Sequence, residues 1–149
     1  MTQISWRKIL CPVDFSEESK AGLRVAIDMC RRFGASLTLF HVHAREERHV
    51  SPQDPDCGDL EQLKQQVVKE GLAQVNTEEE TGDPRLVISE HARRAGFDLV
   101  VMGTHGRTGR GRSLAGSVAE STARTSKCPV LVVHPDWNPQ SAVVAAIAT

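Results

Sequence analysis

Short apolar runs, each followed by a stretch of helical period, fix what this chain can become. KILCPVDF, from Lys8 to Phe15, is closed by Pro12 and Asp14 and reads as a buried first strand. Ser16-Glu17-Glu18 then starts a helix, because serine can cap and acids favour the positive N-terminal end. Leu23, Ala26, Ile27, Cys30 and Phe33 form its apolar stripe, and Gly34 stands where a left-handed C-cap belongs. ASLTLFHVH, from Ala35 to His43, is the second strand, with Leu37, Leu39 and His41 on one face and Thr38, Phe40 and Val42 on the other. Asp59 to Glu70 carries Leu60, Leu63 and Val67 at helical spacing. Leu72 to Glu79 alternates weakly and is expected to be a strand near an edge, broken by Gly82-Asp83-Pro84. A third helix from Pro84 ends near Ala95 and Gly96. DLVVM, from Asp98 to Met102, is a strong fourth strand, and a fourth helix running to about Lys127 precedes the fifth strand, Cys128 to Val133.

Strands alternating with helices predict a parallel sheet covered on both faces. Right-handed crossovers make this a doubly wound, five-stranded, Rossmann-like α/β sandwich. Ligands of such sheets sit beyond the carboxyl ends of the strands, at a topological switch point. Pro12 to Ser16, Val42 to His43 and the loop after Met102 are therefore the segments to inspect.

The chain has 149 residues, so one domain is expected, with its core from about residue 7 to 134. A domain this size buries roughly 70% of the surface of its unfolded chain. Residues 44–58 are polar and hold Pro52, Pro55 and Gly58, and are expected to be a surface excursion. Residues 136–149 form a tail with an apolar end and no assigned element. Eighteen basic and nineteen acidic residues nearly balance, which argues against a dedicated nucleic-acid or anionic-membrane binder. Cys11, Cys30, Cys57 and Cys128 contain no C-x-x-C and no zinc spacing. The N-terminus has no signal-peptide pattern, and no apolar run is long enough to cross a bilayer. A reduced, cytoplasmic compartment is the expectation. His41 and His43 share a strand face, but no third ligand is near in sequence and no metal site is expected.

The stretch from Gly103 to Glu120, GTHGRTGRGRSLAGSVAE, holds five glycines and three arginines. Gly106 to Ser113 nearly spells a P-loop, but Arg112 stands where the phosphate-reaching lysine belongs, and the stretch follows the fourth strand rather than the first. The dinucleotide fingerprint fails because Leu114 occupies its third glycine position. A single-stranded nucleic-acid patch would want stacking aromatics, and none lies between Phe97 and Trp137. A mobile surface loop is the bland alternative.

A longer pattern lies beneath these: Gly103-Thr104-His105-Gly106, nine residues, then Gly116-Ser117. With Ile9 to Ser16, Leu39 to Val42, Gly82-Asp83-Pro84, Asp98 to Gly103 and Cys128 to Val133, this G-x-x-G-x9-G-[ST] pattern resembles the ATP-binding branch of the universal stress protein family. The fold implied is adenine nucleotide alpha-hydrolase-like. Gly103 and Gly106 would let backbone N–H groups approach phosphates, with no Cβ in the way. Ser117-Val118-Ala119-Glu120 is a capping-box sequence that starts helix four at Ser117, and a helix N-terminus favours an anion. Gly116 would let a phosphate come close.

The resemblance implies roles residue by residue. Pro12, Val13 and Asp14 would line the adenosine, Val42 would pair its backbone with the adenine edge, and Met102 and Gly103 would pack beside the ribose. His105 and Gly106 would sit near the phosphates, and Gly116, Ser117 and Val118 would hold them. From the residues alone, Asp14 is equally a helix N-terminal acid, Val42 a core residue and His105 an exposed loop histidine. No convergent catalytic set is visible, although His105, Arg107 and Arg112 could assist phosphoryl transfer. The expectation is an adenine-nucleotide (ATP, ADP or AMP) binding module in stress response or signalling, any Mg2+ being carried by the nucleotide. The alternatives are a slow ATPase and a non-nucleotide-binding interaction protein. The resemblance also implies a homodimer through Pro129 to Val133, an apolar run expected at a sheet edge.

Overall fold

A computed structural model describes residues 2–44, 59–104 and 116–137. Five strands and four helices alternate through them: β1 (Lys8–Pro12), α1 (Glu17–Phe33), β2 (Ser36–His43), α2 (Leu60–Lys69), β3 (Val75–Thr81), α3 (Pro84–Arg94), β4 (Leu99–Gly103), α4 (Ser117–Thr125) and β5 (Val130–Val133). All pairings are parallel, in the order β3-β2-β1-β4-β5. This is the expected doubly wound sheet. The excursion expected between residues 44 and 58 lies, from residue 45 on, outside the described residues, as does the tail beyond Trp137.

Local chemistry sets the helix ends. Ser16 caps α1 by accepting from the Ser19 N–H at 3.1 Å, and Gly34 closes it in the left-handed region, at φ 67°. Asp59 caps α2 through the Glu61 N–H at 2.9 Å. Asp83 caps α3 through the Arg85 N–H at 3.0 Å, with Pro84 in the first turn, where its missing N–H costs nothing.

Two cores flank the sheet. Ile9, Cys11, Leu37, Leu39 and Val101 meet α1 and α2 on one face. Leu10, Phe40, Val100 and Met102 meet α3 and α4 on the other. The strand alternation read from the sequence is the alternation of these cores.

The third strand departs from expectation. It spans Val75–Thr81 rather than Leu72 to Glu79. Its register is set by β2, Leu37 facing Val75 and His43 facing Thr81, and Leu72 is instead a buried core residue ahead of the strand. Its position at an edge is as expected. His91 ties α3 to this edge. Its ring stacks on Phe40 (centroids 4.3 Å apart), and its two nitrogens meet Glu78 and Glu80, the latter also bonded by Arg94 at 2.6 Å. At the sheet's other end, the Asp98 carboxylate accepts from the Arg7 and Lys8 N–H groups, each at 2.9 Å.

Candidate functional site

The connections from β1 and β4 leave toward opposite edges, so the switch point lies where these two central strands end. β1 ends at Pro12, which is buried opposite Phe40. Val13 then donates its N–H to the Phe40 carbonyl at 2.8 Å, and its own carbonyl accepts from His41 Nδ1 at 2.8 Å. Its side chain belongs to the α1 core.

Asp14 organises the turn that follows. Its Oδ1 accepts from the Ser16 N–H at 3.0 Å and from the Ser16 hydroxyl, while its N–H donates to Ser19 Oγ at 3.1 Å. The helix-capping reading of Asp14 is thus present in the structure, one step removed: the acid holds Ser16, and Ser16 caps α1. Phe15 completes the turn at φ 66°, a left-handed conformation that a non-glycine residue adopts at a cost of order 1–3 kcal/mol. Its ring lies 5.1 Å from that of His41. No sequence signal marked Phe15 as strained.

Val42 sits past the end of the β1 ladder. Ser36 and Phe40 bond toward β1, whereas Leu37 and His43 bond toward β3, so strand alternation turns the Val42 backbone toward β1. β1 pairs with β2 only as far as Phe40. The Val42 side chain packs in the α3–α4 core, beside the cluster holding Met102 and Val118. The structure therefore brings Val42, Met102 and Val118 together on one sheet face and leaves Val13 on the other.

Gly103 also has a packing reason to be a glycine. A Cβ there would lie 2.1 Å from the Glu18 carbonyl oxygen, and one on Gly22 would lie 2.7 Å from the Gly103 nitrogen. The missing side chains let α1 lie directly on the end of β4. A lone glycine inside a helical stripe, as Gly22 is, was the available signal.

At α4 the capping-box reading is corrected. Gly116 is the N-cap, at φ 75° and ψ 154°, and Ser117 is the first helical residue. A glycine cap has no side chain to accept from the first turn, and among the described residues α4 has no side-chain cap bond. Glu120, one position too late for a capping box, bonds Arg124 at 2.9 Å instead. Gly116 is thus demanded by backbone conformation in a region open almost only to glycine.

Thr104 is buried, at 7% exposure, and its hydroxyl has no hydrogen-bond partner among the described residues. His105 and Gly106, with Arg107, Arg110 and Arg112, lie outside the described residues. His43 approaches Glu79 at 3.5 Å, and no group of three metal-binding side chains occurs among the described residues. No described helix is long and apolar enough to cross a membrane.

The strand order defines a doubly wound parallel α/β protein with its switch point between β1 and β4. Residues 5–134 match the universal stress protein family, and the chain belongs to that family. It is 32% identical to a universal stress protein of Methanocaldococcus jannaschii, across 86% of this chain and 82% of that one. Among solved structures it superposes on the universal stress protein UspA of Lactobacillus plantarum with TM-score 0.73 and 26% identity, covering 88% of this chain and 99% of that one. Two more distant structures share the fold and hold nucleotides. One is a universal stress protein in complex with cAMP (TM-score 0.69, 23% identity, 89% of this chain and 100% of that one). The other is a family protein of Arabidopsis thaliana with AMP bound (TM-score 0.62, 22% identity, 90% and 93%).

Proposed function

We propose that this chain is an adenine-nucleotide-binding module of the ATP-binding branch, taking ATP in the crevice beyond β1 and β4 and acting in stress response or signalling. The observation that carries this reading is the start of α4. Among the described residues no side chain caps its first-turn N–H groups, Gly116 opens the chain ahead of them, and Val118 and Ala119 pack with Met102. Unpaired N–H groups at a helix start form an anion site. The Val42 backbone, past the end of the β1 ladder, suits the edge of an adenine. cAMP and AMP in structures of the same fold support a nucleotide of this class.

In this reading Ser117 and Val118 donate backbone N–H groups to phosphate, with Gly103, His105, Gly106 and Gly116 around it. Pro12, Val13, Asp14 and Met102 surround the adenosine, and Mg2+ arrives with the nucleotide. Val13 contributes through its place in the turn, since its backbone groups are engaged and its side chain is buried. We read the module as a binder with at most weak hydrolysis, working as a cytoplasmic homodimer that pairs through β5.

Titration calorimetry with ATP, ADP and AMP tests the reading, alongside the mass of any ligand that co-purifies. Heat of binding and a raised melting temperature are expected for ATP, and their absence for all three nucleotides would sink the proposal. Gly116→Val is a poor test, because a branched residue at φ 75° strains the chain whether or not a phosphate binds there. Sedimentation tests the dimer, which a monomer at micromolar concentration would contradict.

A further inference from the structure

His91 is the only buried histidine among the described residues, at 8% exposure. The register of β3 on β2 sets Glu78 beside Phe40 and Glu80 beside Val42. Both glutamates therefore point to the sheet face that α3 covers, and Glu79 between them points to the other, where it meets His43. The His91 ring is fixed among them. It stacks on Phe40 at 10° from parallel, and Phe97 tilts against it at 5.7 Å. Nδ1 lies 3.2 Å from Glu80 Oε1, and Nε2 meets Glu78 Oε2.

The acceptors decide where the protons are. Glu80 Oε1 accepts from Arg94 at 2.6 Å, so it faces Nδ1 as an acceptor too. The Glu78 side chain is 41% exposed, and a carboxyl open to water is not driven by burial to keep its proton. A neutral imidazole has one donor nitrogen and one acceptor, whereas an imidazolium has two donors. Only the imidazolium satisfies two carboxylates at once.

The charges around the ring favour the same state. β3 supplies Glu78 and Glu80, and β2 supplies the uncharged Phe40. On α3, Arg94 is engaged by Glu80, while Glu90 and Arg93 pair with each other on the exposed side. On α4, Glu120 bonds Arg124. Lys8 of β1 opposes a second proton on His91, but its ammonium is met by the Phe97 face at 4.4 Å and by the Ala95 carbonyl.

We propose that His91 is an imidazolium bridging Glu78 and Glu80, and that its second proton is a switch that fastens α3 to the β3 edge. When that proton leaves, one ring nitrogen turns a lone pair toward a carboxylate oxygen, and that carboxylate swings into water. Both glutamates can do so, because each is partly exposed. The ring keeps its stack on Phe40, so the core stays closed while the tether at the edge opens. Histidine is the side chain suited to such a change near physiological pH.

Nitrogen NMR of the imidazole reads the protons directly. At about pH 7 both nitrogens of His91 should carry one. A single protonated nitrogen, the other accepting from Glu78, would overturn the proposal. Glu78→Gln, a change at a partly exposed side chain, keeps an acceptor oxygen and removes the charge. It should let the second proton leave at lower pH, and an unchanged ring titration would count against the bridge. His91→Gln tests the tether. The imidazolium stabilises the fold while protonated, and this contribution is lost as rising pH removes the proton. The gap in melting temperature between wild type and His91→Gln should therefore narrow as pH rises from about 6.5, the value of an unfolded histidine, to about 9. Over the same range, protection of β3 and α3 amides against hydrogen exchange should fall about tenfold in wild type, the worth of one hydrogen bond to a charged group, and stay level in the variant. A constant gap, or wild-type protection that does not change with pH, would mean that the ring acts by its shape alone and would sink the switch.

Discussion

The His41 imidazole donates from Nδ1 to the Val13 carbonyl oxygen at 2.8 Å. This bond stands where a parallel ladder would place its next rung, from the Val42 N–H to the same carbonyl. No backbone bond joins Val42 to Val13. The ring closes the ladder one step early, and Phe15, packed against it, turns the chain away into α1.

His41→Leu should therefore weaken adenine-nucleotide binding through the adenine rather than the phosphates. Loss of one such bond corresponds to about fivefold in affinity. ATP and adenosine should weaken alike in titration calorimetry. His41→Gln, which keeps an N–H donor, should restore part of the loss. Wild-type affinity for both ligands in His41→Leu would remove any role for the ring.

Gly103→Ala and Gly22→Ala should both destabilise the fold. Each introduced methyl meets backbone, at 2.1 Å and 2.7 Å respectively, and backbone cannot rotate aside. Overpacking of this kind costs about 1–3 kcal/mol. Denaturant titration reads it directly, and an unchanged midpoint would mean that α1 can lift off β4 freely.

The cap of α3 should be sensitive to acid. Hydrogen bonding to Arg85 holds the Asp83 carboxyl below its ordinary value. A depressed carboxyl contributes stability above its unfolded pKa of about 4, and that contribution is lost as pH falls through the lower folded value. Asp83→Ala should cost about 1 kcal/mol near neutral pH, the usual worth of a cap. The gap between wild-type and Asp83→Ala melting temperatures should narrow near pH 3; a constant gap would contradict the charge-dependent part.

Cys11 and Cys30 should resist alkylation in the folded chain. Burial pushes the Cys30 thiol up to about 11, and burial with the neighbouring Cys30 raises Cys11 further. At pH 8 both are thiols rather than thiolates, and the thiolate is the nucleophile. Peptide mapping after maleimide treatment should find them modified only once the chain is unfolded. Modification at the unfolded rate in native buffer would show that the α1 core opens readily.

The order of strands and helices was legible because each apolar run is short, closed by proline, glycine or acid, and followed by a 3.6-residue stripe. The sheet edges were legible because β3 is weak and β5 is last. The start of β3 was not, since period-two alternation continues upstream of Val75 without a partner strand to pair with. At α4, Ser117 and Glu120 have the right identities and spacing for a capping box, but the left-handed backbone of Gly116 takes the cap position one residue earlier. The reason for Gly103 was hidden because it lies in the path of α1, a contact across more than eighty positions of chain. His41 was hidden likewise, because its bond to the Val13 carbonyl forms where the ladder stops.

The two sheet edges differ in a way that governs growth. β3 carries Glu78, Glu79 and Glu80, whereas β5 is Val-Leu-Val-Val, with Leu131 38% exposed. Exposed apolar edges invite pairing with another chain, whereas an acidic edge repels a copy of itself. In the proposed dimer, two copies meeting at β5 would present only acidic ends to solvent, and elongation would terminate at the pair. Replacing those glutamates would give each chain two live ends, the condition under which a closed dimer gives way to an open filament.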